Sequence, residues 1–261
     1  MTKLTYKVTI DGTPYTQTQM DRYEYERTLH VLHELKGLGV DLRLDGQSLN
    51  HSDLNWLAPA VATKVSYTAR TALGEKGMLA LFKDVETDTE RRWKEYNVDY
   101  DAAKSHIGTT LTEVNGIGFQ ETMAIINGSF GSDAALSVHP EHYIIIGDIT
   151  NGQRGMEAFG MFGEPVYVHG IAGQEIPANM PFEKDPTYPI TVYGQFLLKS
   201  DDTPIHVGAC HEVRPTATGF ILKSTFFCPG KAPQAIADGH KLHFAAEIIN
   251  SARYAYAHQN K

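Results

Sequence analysis

His243 and Glu247 stand four residues apart in the stretch His240-Lys241-Leu242-His243-Phe244-Ala245-Ala246-Glu247. On a helix that spacing puts an imidazole and a carboxylate on one face, one turn apart, with His240 three residues earlier on nearly the same face. A ring nitrogen and a carboxylate oxygen so placed suit a divalent cation. They suit a solvated His–Glu pair as well, and the neighbours Phe244, Ile248 and Ile249 give the pair an apolar setting. The second candidate is His211. In the alternating run from Ile205 to Val213 it shares a strand face with Ile205, Val207, Ala209 and Val213. A histidine on an apolar face either hydrogen-bonds inside the core or does chemistry there. Third is Glu157 in Met156-Glu157-Ala158-Phe159-Gly160, a carboxylate beside an apolar residue, for which exposure is the default. Fourth is His139-Pro140-Glu141-His142-Tyr143, a loop entering a strand. Two histidines flanking a proline make a poor helical metal pair, so positioning or surface exposure is expected there.

The elements around these residues fall into two halves. Tyr6, Val8 and Ile10 alternate with polar residues and are followed by Asp11-Gly12, a strand and a turn. A helix is predicted from about Met20 to Leu38, with Leu29, Leu32 and Leu35 near helical spacing and glycines at its end. Ser52-Asp53-Leu54 opens another, carrying Trp56, Leu57, Val61 and Val65, and the charged run Glu86 to Tyr100 is anchored by Trp93. His30 and His33 on the first helix read as surface or interface. From about Ile107 onward strands dominate: Tyr143–Ile146, Pro165–Val168, Ile190–Leu198, Ile205–Val213 and Phe220–Phe227, then an alanine-rich helix from Ala232 to about Tyr256. This is an α+β chain: a partly helical region over residues 1–106, then an antiparallel meander closed by a C-terminal helix over 107–261.

Composition excludes several classes. The chain has 261 residues, 42% hydrophobic and 21% charged, as in ordinary globular proteins. Its formal charge is −8 and it has no basic run, which argues against nucleic acid as a partner. No apolar stretch approaches the ~20 residues a bilayer span needs. The first residues lack the apolar core of a secretory signal, and the only two cysteines, Cys210 and Cys228, have no CxxC spacing. A cytoplasmic, reducing setting follows. There is no P-loop, GxGxxG, GxSxG or HExxH.

Three segments in order resemble the 2,4-diacetylphloroglucinol hydrolase and phloretin hydrolase family, whose members cleave a carbon–carbon bond between a phenolic ring and an acyl group. They are Met156–Gly160, His211-Glu212-Val213-Arg214-Pro215 through Gly219 to Phe227, and His243–Glu247; His139–Tyr143 is similar to a family loop before the glutamate. The resemblance covers about half the chain, from roughly Ile117 onward. It implies a helix-grip antiparallel β-barrel around the C-terminal helix. It also implies Zn2+ or another divalent cation held by Glu157, His243 and Glu247, with His211 as the catalytic or positioning histidine beside it. The family's fourth ligand, an upstream histidine, has no counterpart; Asn127 is the polar residue there, and His106, His139 or His142 could substitute. Where the family holds substrate phenols with tyrosines, this chain offers Phe226 and Phe227. The expected substrate is a small aromatic or polyketide-like ketone, and the protein could be a homo-oligomer. Two other functions fit the same features: a non-catalytic helix-grip carrier for an aromatic ligand, and a metal-dependent cyclase, isomerase or decarboxylase.

Overall fold

A computed structural model describes residues 3–126, 131–148, 151–160, 164–173 and 180–258. Alternation in the first residues yields a hairpin, β1 (Thr5–Ile10) and β2 (Thr13–Tyr15), turned by Asp11 and Gly12, both at positive φ. Thr16 then caps α1 (Gln17–Gly37) in a reciprocal capping box with Gln19. A two-stranded ribbon of β3 (Arg43–Leu44) and β4 (Gln47–Ser48) leads to the short α2 (His51–Leu54). α3 (Pro59–Leu81) starts on a proline and breaks at Gly74, and α4 (Lys83–Tyr96) follows at once. The charged α4 is anchored by Trp93, buried edge-to-face on Phe159, as its lone tryptophan suggests.

After a 3₁₀ turn at Ala102–Lys104 come β5 (His106–Asn115), α5 (Phe119–Ile126), α6 (Ser132–Ser137), β6 (His142–Ile146) and β7 (Arg154–Ala158). The chain ends with β8 (Pro165–Gly173), β9 (Ile190–Leu198), β10 (Pro204–Pro215), β11 (Gly219–Cys228) and α7 (Gln234–His258). One nine-stranded antiparallel sheet results, in the order β2-β1-β5-β11-β10-β9-β8-β7-β6. The architecture is therefore α+β, with the expected C-terminal helix. The expected barrel is not closed: β2 and β6 are sheet edges, and β6 lies beside α6 and α3 instead of pairing with β2.

α7 packs against the sheet and α1 along most of its circumference, with Asp238 and Ala257 left exposed, which spreads its apolar residues around the helix. Ala245, Ala246 and Ile249 pack on Val8, Ile10, Met20 and Tyr23 of β1 and α1. Ile248, Ala252 and Ala255 pack on Val114, Phe220 and Leu222. The remaining face turns His240, His243, Phe244 and Glu247 into a cavity. Two glycines let backbones approach α7. A Cβ at Gly108 would overlap the Ala237 carbonyl, and one at Gly160, whose φ is +74°, would overlap that of Ile236. The first half of the chain is part of the same sheet, because β1 pairs with β5 over Thr5–Ile10 and Thr110–Asn115.

Candidate metal centre

The centre is built from β6, β7 and α7. Arg70 of α3, 2% exposed, donates through one guanidinium nitrogen to the carbonyls of Leu136, His139 and His142, and so holds the turn that enters β6. His142 opens that strand. Its Nδ1–H donates to the Ala135 carbonyl at 3.1 Å, which leaves the Nε2 lone pair facing inward. That nitrogen lies 3.2 Å from His243 Nε2, 3.4 Å from Glu157 Oε2 and 3.9 Å from Glu247 Oε1; His243 Nε2 is 4.0 Å from Glu157 Oε2. Ligand bonds of 2.0–2.1 Å in a tetrahedral site put neighbouring donors about 3.3 Å apart. The four side chains bracket that spacing.

The electrostatics point the same way. Burial, and then the charge of Glu247, pushes the Glu157 carboxyl up to about 8, and burial takes Glu247 to about 7. Burial takes His142 down to about 4 and holds His243 well below the usual imidazole range. Without a cation the site prefers neutral groups; a divalent cation reverses that preference and balances two carboxylates. The donor set thus fits a divalent metal: two imidazole nitrogens and two carboxylates, with His243 Nδ1 buried and unpartnered behind them.

A ring nitrogen of His139 also lies within 4.8 Å of ring nitrogens of His142 and His243, and those three buried histidines could hold a metal ion. Hydrogen bonding favours the set with carboxylates. His139 Nδ1 accepts from the Glu141 amide at 3.2 Å, and its Nε2 is paired with the Tyr23 hydroxyl at 3.3 Å. Neither nitrogen is left over. Instead its ring stacks on His243 with centroids 3.6 Å apart and fixes that imidazole's plane.

The centre opens on a cavity of about 90 Å³ walled by β7 to β11 and α7. His211 lines it, as the strand alternation predicts, with Nδ1 2.9 Å from Ser224 Oγ and the ring edge-on to Phe244. Burial lowers this imidazole to about 4, so at neutral pH it is uncharged. Phe226 forms wall, tilted over His240 with centroids 4.1 Å apart. Cys210 and Cys228 are free, buried thiols held up at about 12 by burial.

Sequence reasoning and geometry compare residue by residue. Glu157, His243 and Glu247 converge, with His211 lining the same cavity. Glu157 is buried, not exposed. The reading of His139 and His142 as surface or positioning groups is half corrected: both are buried, and His142 joins the cluster while His139 stacks behind it. His106 pairs with Cys228 at the far end of β5 and does not line the cavity. Asn127 lies outside the described residues. Sequence reading missed Arg70, Tyr23 and the buried Arg27–Glu141 ion pair, which brace the turn before His142 from α1 and α3. Nothing local marks them: they sit on helices more than sixty residues upstream, and only the fold brings them near. No protein-family model matches the chain, and no curated protein matches it significantly.

Proposed function

We propose that this protein is a metal-dependent hydrolase that cleaves the carbon–carbon bond between a phenolic ring and an acyl group, with zinc as the cation and an open helix-grip arrangement as its frame. The observation that carries the reading is the convergence of His142, Glu157, His243 and Glu247 on one point at the end of an apolar cavity that also contains His211. Free cysteines and the absence of any helix able to cross a membrane among the described residues are compatible with a cytoplasmic setting.

A divalent cation held by those four residues would supply Lewis acidity toward an acyl oxygen or a water, on widening its coordination beyond the four protein donors. The chain's residues do the rest. Phe226, Phe244 and Val192 exclude bulk water and hold a flat ring. In the hydrolysis the ring–acyl bond breaks, water's hydroxyl joins the acyl carbon as a carboxylic acid, and the ring carbon takes a proton. His211, neutral and lining the cavity, accepts the proton from water and returns it to that carbon. Ser224 at its Nδ1 fixes the ring's orientation. Such proton delivery contributes on the order of 10²–10⁴-fold.

The test uses protein purified without chelator or polyhistidine tag. Elemental analysis is expected to give about one zinc, iron or manganese per chain in the wild type and none in His243→Ala or Glu247→Ala. Hydroxylated acetophenones are then expected to yield acetate plus the free phenol. Metal-free wild type, or stoichiometric metal without release of carboxylic acid from any acylphenol, overturns the proposal.

A further inference from the structure

Four aromatic rings stand in a column that runs through His243. In order they are His139, His243, His240 and Phe226, with successive centroids 3.6, 4.4 and 4.1 Å apart and planes inclined by 21°, 15° and 31°. His243 is therefore faced by two nearly parallel imidazoles. Rings so close to it and so nearly parallel would overlap one another on a shared face, so His139 and His240 take opposite faces. The column draws on the turn before β6, on α7 and on β11. The (i, i+3) spacing of His240 and His243 sets one above the other on α7. Both ends are anchored. His139 is held by the Glu141 amide and the Tyr23 hydroxyl, and Phe226 is fully buried. Phe244 closes on His240 edge-on, with centroids 4.6 Å apart and planes at 83°.

A metal-binding histidine is ordinarily aimed by a hydrogen bond at its second ring nitrogen. His142 follows that rule, with its Nδ1 on the Ala135 carbonyl at 3.1 Å. His243 does not: its Nδ1 is buried and has no hydrogen-bond partner among the described residues. Rotamer preference does not settle its plane either, since the torsion between a tetrahedral carbon and an aromatic ring is broad. What remains is the ring column. Turning the His243 ring out of its plane would drive its edges into both flanking imidazoles. Neither is free to retreat, because His139 is tied by its hydrogen bonds and His240 is backed by Phe226. A ligand whose direction must hold within about 10–20° needs such a constraint.

We infer that His240 is a positioning residue of the cation site: its imidazole, backed by Phe226, stacks His243 against His139 and so sets the direction of His243 Nε2 in place of a hydrogen bond at Nδ1. The inference rests on the cation site of the proposed hydrolase, and it adds to that site a residue that acts through a ligand and not as one. What counts at position 240 is then a flat ring and not a nitrogen.

The experiment compares the full-length wild type with His240→Phe, which keeps a flat ring, and His240→Leu, which keeps apolar bulk without one. Zinc affinity is read by competition with a chromogenic chelator, and ligand geometry by the visible bands of the cobalt-loaded protein. His240→Leu is expected to weaken zinc about 10–100-fold, the usual cost of losing a ligand's outer support, and to shift the cobalt bands. His240→Phe is expected to bind zinc within about threefold of wild type, with the cobalt bands unmoved. Phe226→Leu leaves every histidine in place and carries the test if the variants at 240 do not fold; it is expected to weaken zinc about threefold, the worth of one ring pair. Crystal structures of the metal-free proteins give a readout independent of any cation: His243 keeps one ring plane in wild type and His240→Phe, and takes more than one in His240→Leu. A loss of zinc as large in His240→Phe as in His240→Leu would make the nitrogen the active part and overturns the inference. A single His243 ring plane in His240→Leu, or wild-type zinc affinity in His240→Leu or Phe226→Leu, overturns it as well. A wild type that binds no metal, with the plane of His243 still dependent on residue 240, would instead defeat the metal-dependent hydrolase alone.

Discussion

Replacing His139 and replacing His142 should have very different consequences, although the two rings are neighbours and both are buried. His142 Nε2 points at His243, Glu157 and Glu247 at 3.2–3.9 Å, whereas both nitrogens of His139 are engaged elsewhere. A structural zinc contributes about 10–16 kcal/mol of apparent binding energy. Shared over four protein donors, each is worth roughly 3–4 kcal/mol, or 10²–10³-fold in affinity. His142→Phe and the isosteric Glu247→Gln should each weaken zinc by about that factor. His139→Phe keeps the stack on His243 and acts only by loosening a ligand's support, so its effect should be about 10–100-fold at most. It should lower stability, because the Glu141 amide and the Tyr23 hydroxyl lose their partner at about 1–3 kcal/mol each. Competition against a chromogenic chelator, with urea unfolding in parallel, reads both quantities. If His139→Phe abolishes zinc binding while Glu247→Gln retains it, the cation sits on three imidazoles and the four-ligand assignment is wrong.

Three further outcomes follow from the same structure. Arg70→Met removes the shared donor of three buried carbonyls and should cost about 3 kcal/mol or more while weakening zinc through His142; unchanged urea midpoints would show that the turn holds itself. The pH dependence has a definite sign at His211, whose imidazole is held at about 4 when folded against about 6.5 in an unfolded chain. Its contribution is fully present above pH 6.5 and is lost as pH falls toward 4, up to about 3 kcal/mol. His211→Gln should therefore lose less stability than wild type between pH 7 and 4.5, and parallel curves of urea midpoint against pH would contradict this. Gly160→Ala forces a side chain into the left-handed region and onto the Ile236 carbonyl, so a loss of at least about 2 kcal/mol is expected by chemical denaturation; a wild-type midpoint would mean that α7 does not press on this turn.

The legible part of the site was the part whose geometry is local. Strict alternation along β10 puts His211 on the cavity face, and helical spacing puts His243 and Glu247 on one face of α7. His142 was one of several possible substitutes in the sequence, and what singles it out is a register shift. In the β6–β7 hairpin Ile146, Ile145 and Ile144 pair with Arg154, Gly155 and Met156, and continuing that register would set Tyr143 opposite Glu157. A bulge between His142 and Ile144 intervenes, and it is His142 that faces Glu157. Nothing in Tyr143-Ile144-Ile145-Ile146 announces the bulge, and without it the fourth donor would point to the other face of the sheet. Barrel closure misled for a related reason. The strand count was readable, but whether β2 and β6 meet depends on how α3 and α6 pack beside β6, which no strand pattern encodes.

The division of the chain at residue 106 looks different once its contacts are traced to the centre. β1 extends the sheet through β5, Tyr23 and Arg27 of α1 hold His139 and Glu141, and Arg70 of α3 holds the backbone at His142. The helical half therefore supplies no donor to the centre but fixes the turn that supplies one. That division explains how a fold can tolerate a ring nitrogen and two carboxylates each within 4 Å of His142 Nε2. No lysine or arginine lines the cavity among the described residues, and the cations that act on His142 and His243, Arg70 and Arg27, are already committed to three carbonyls and to Glu141. A bracing network that holds four acceptors together while sending both of its own positive charges elsewhere leaves a place that a divalent cation could take.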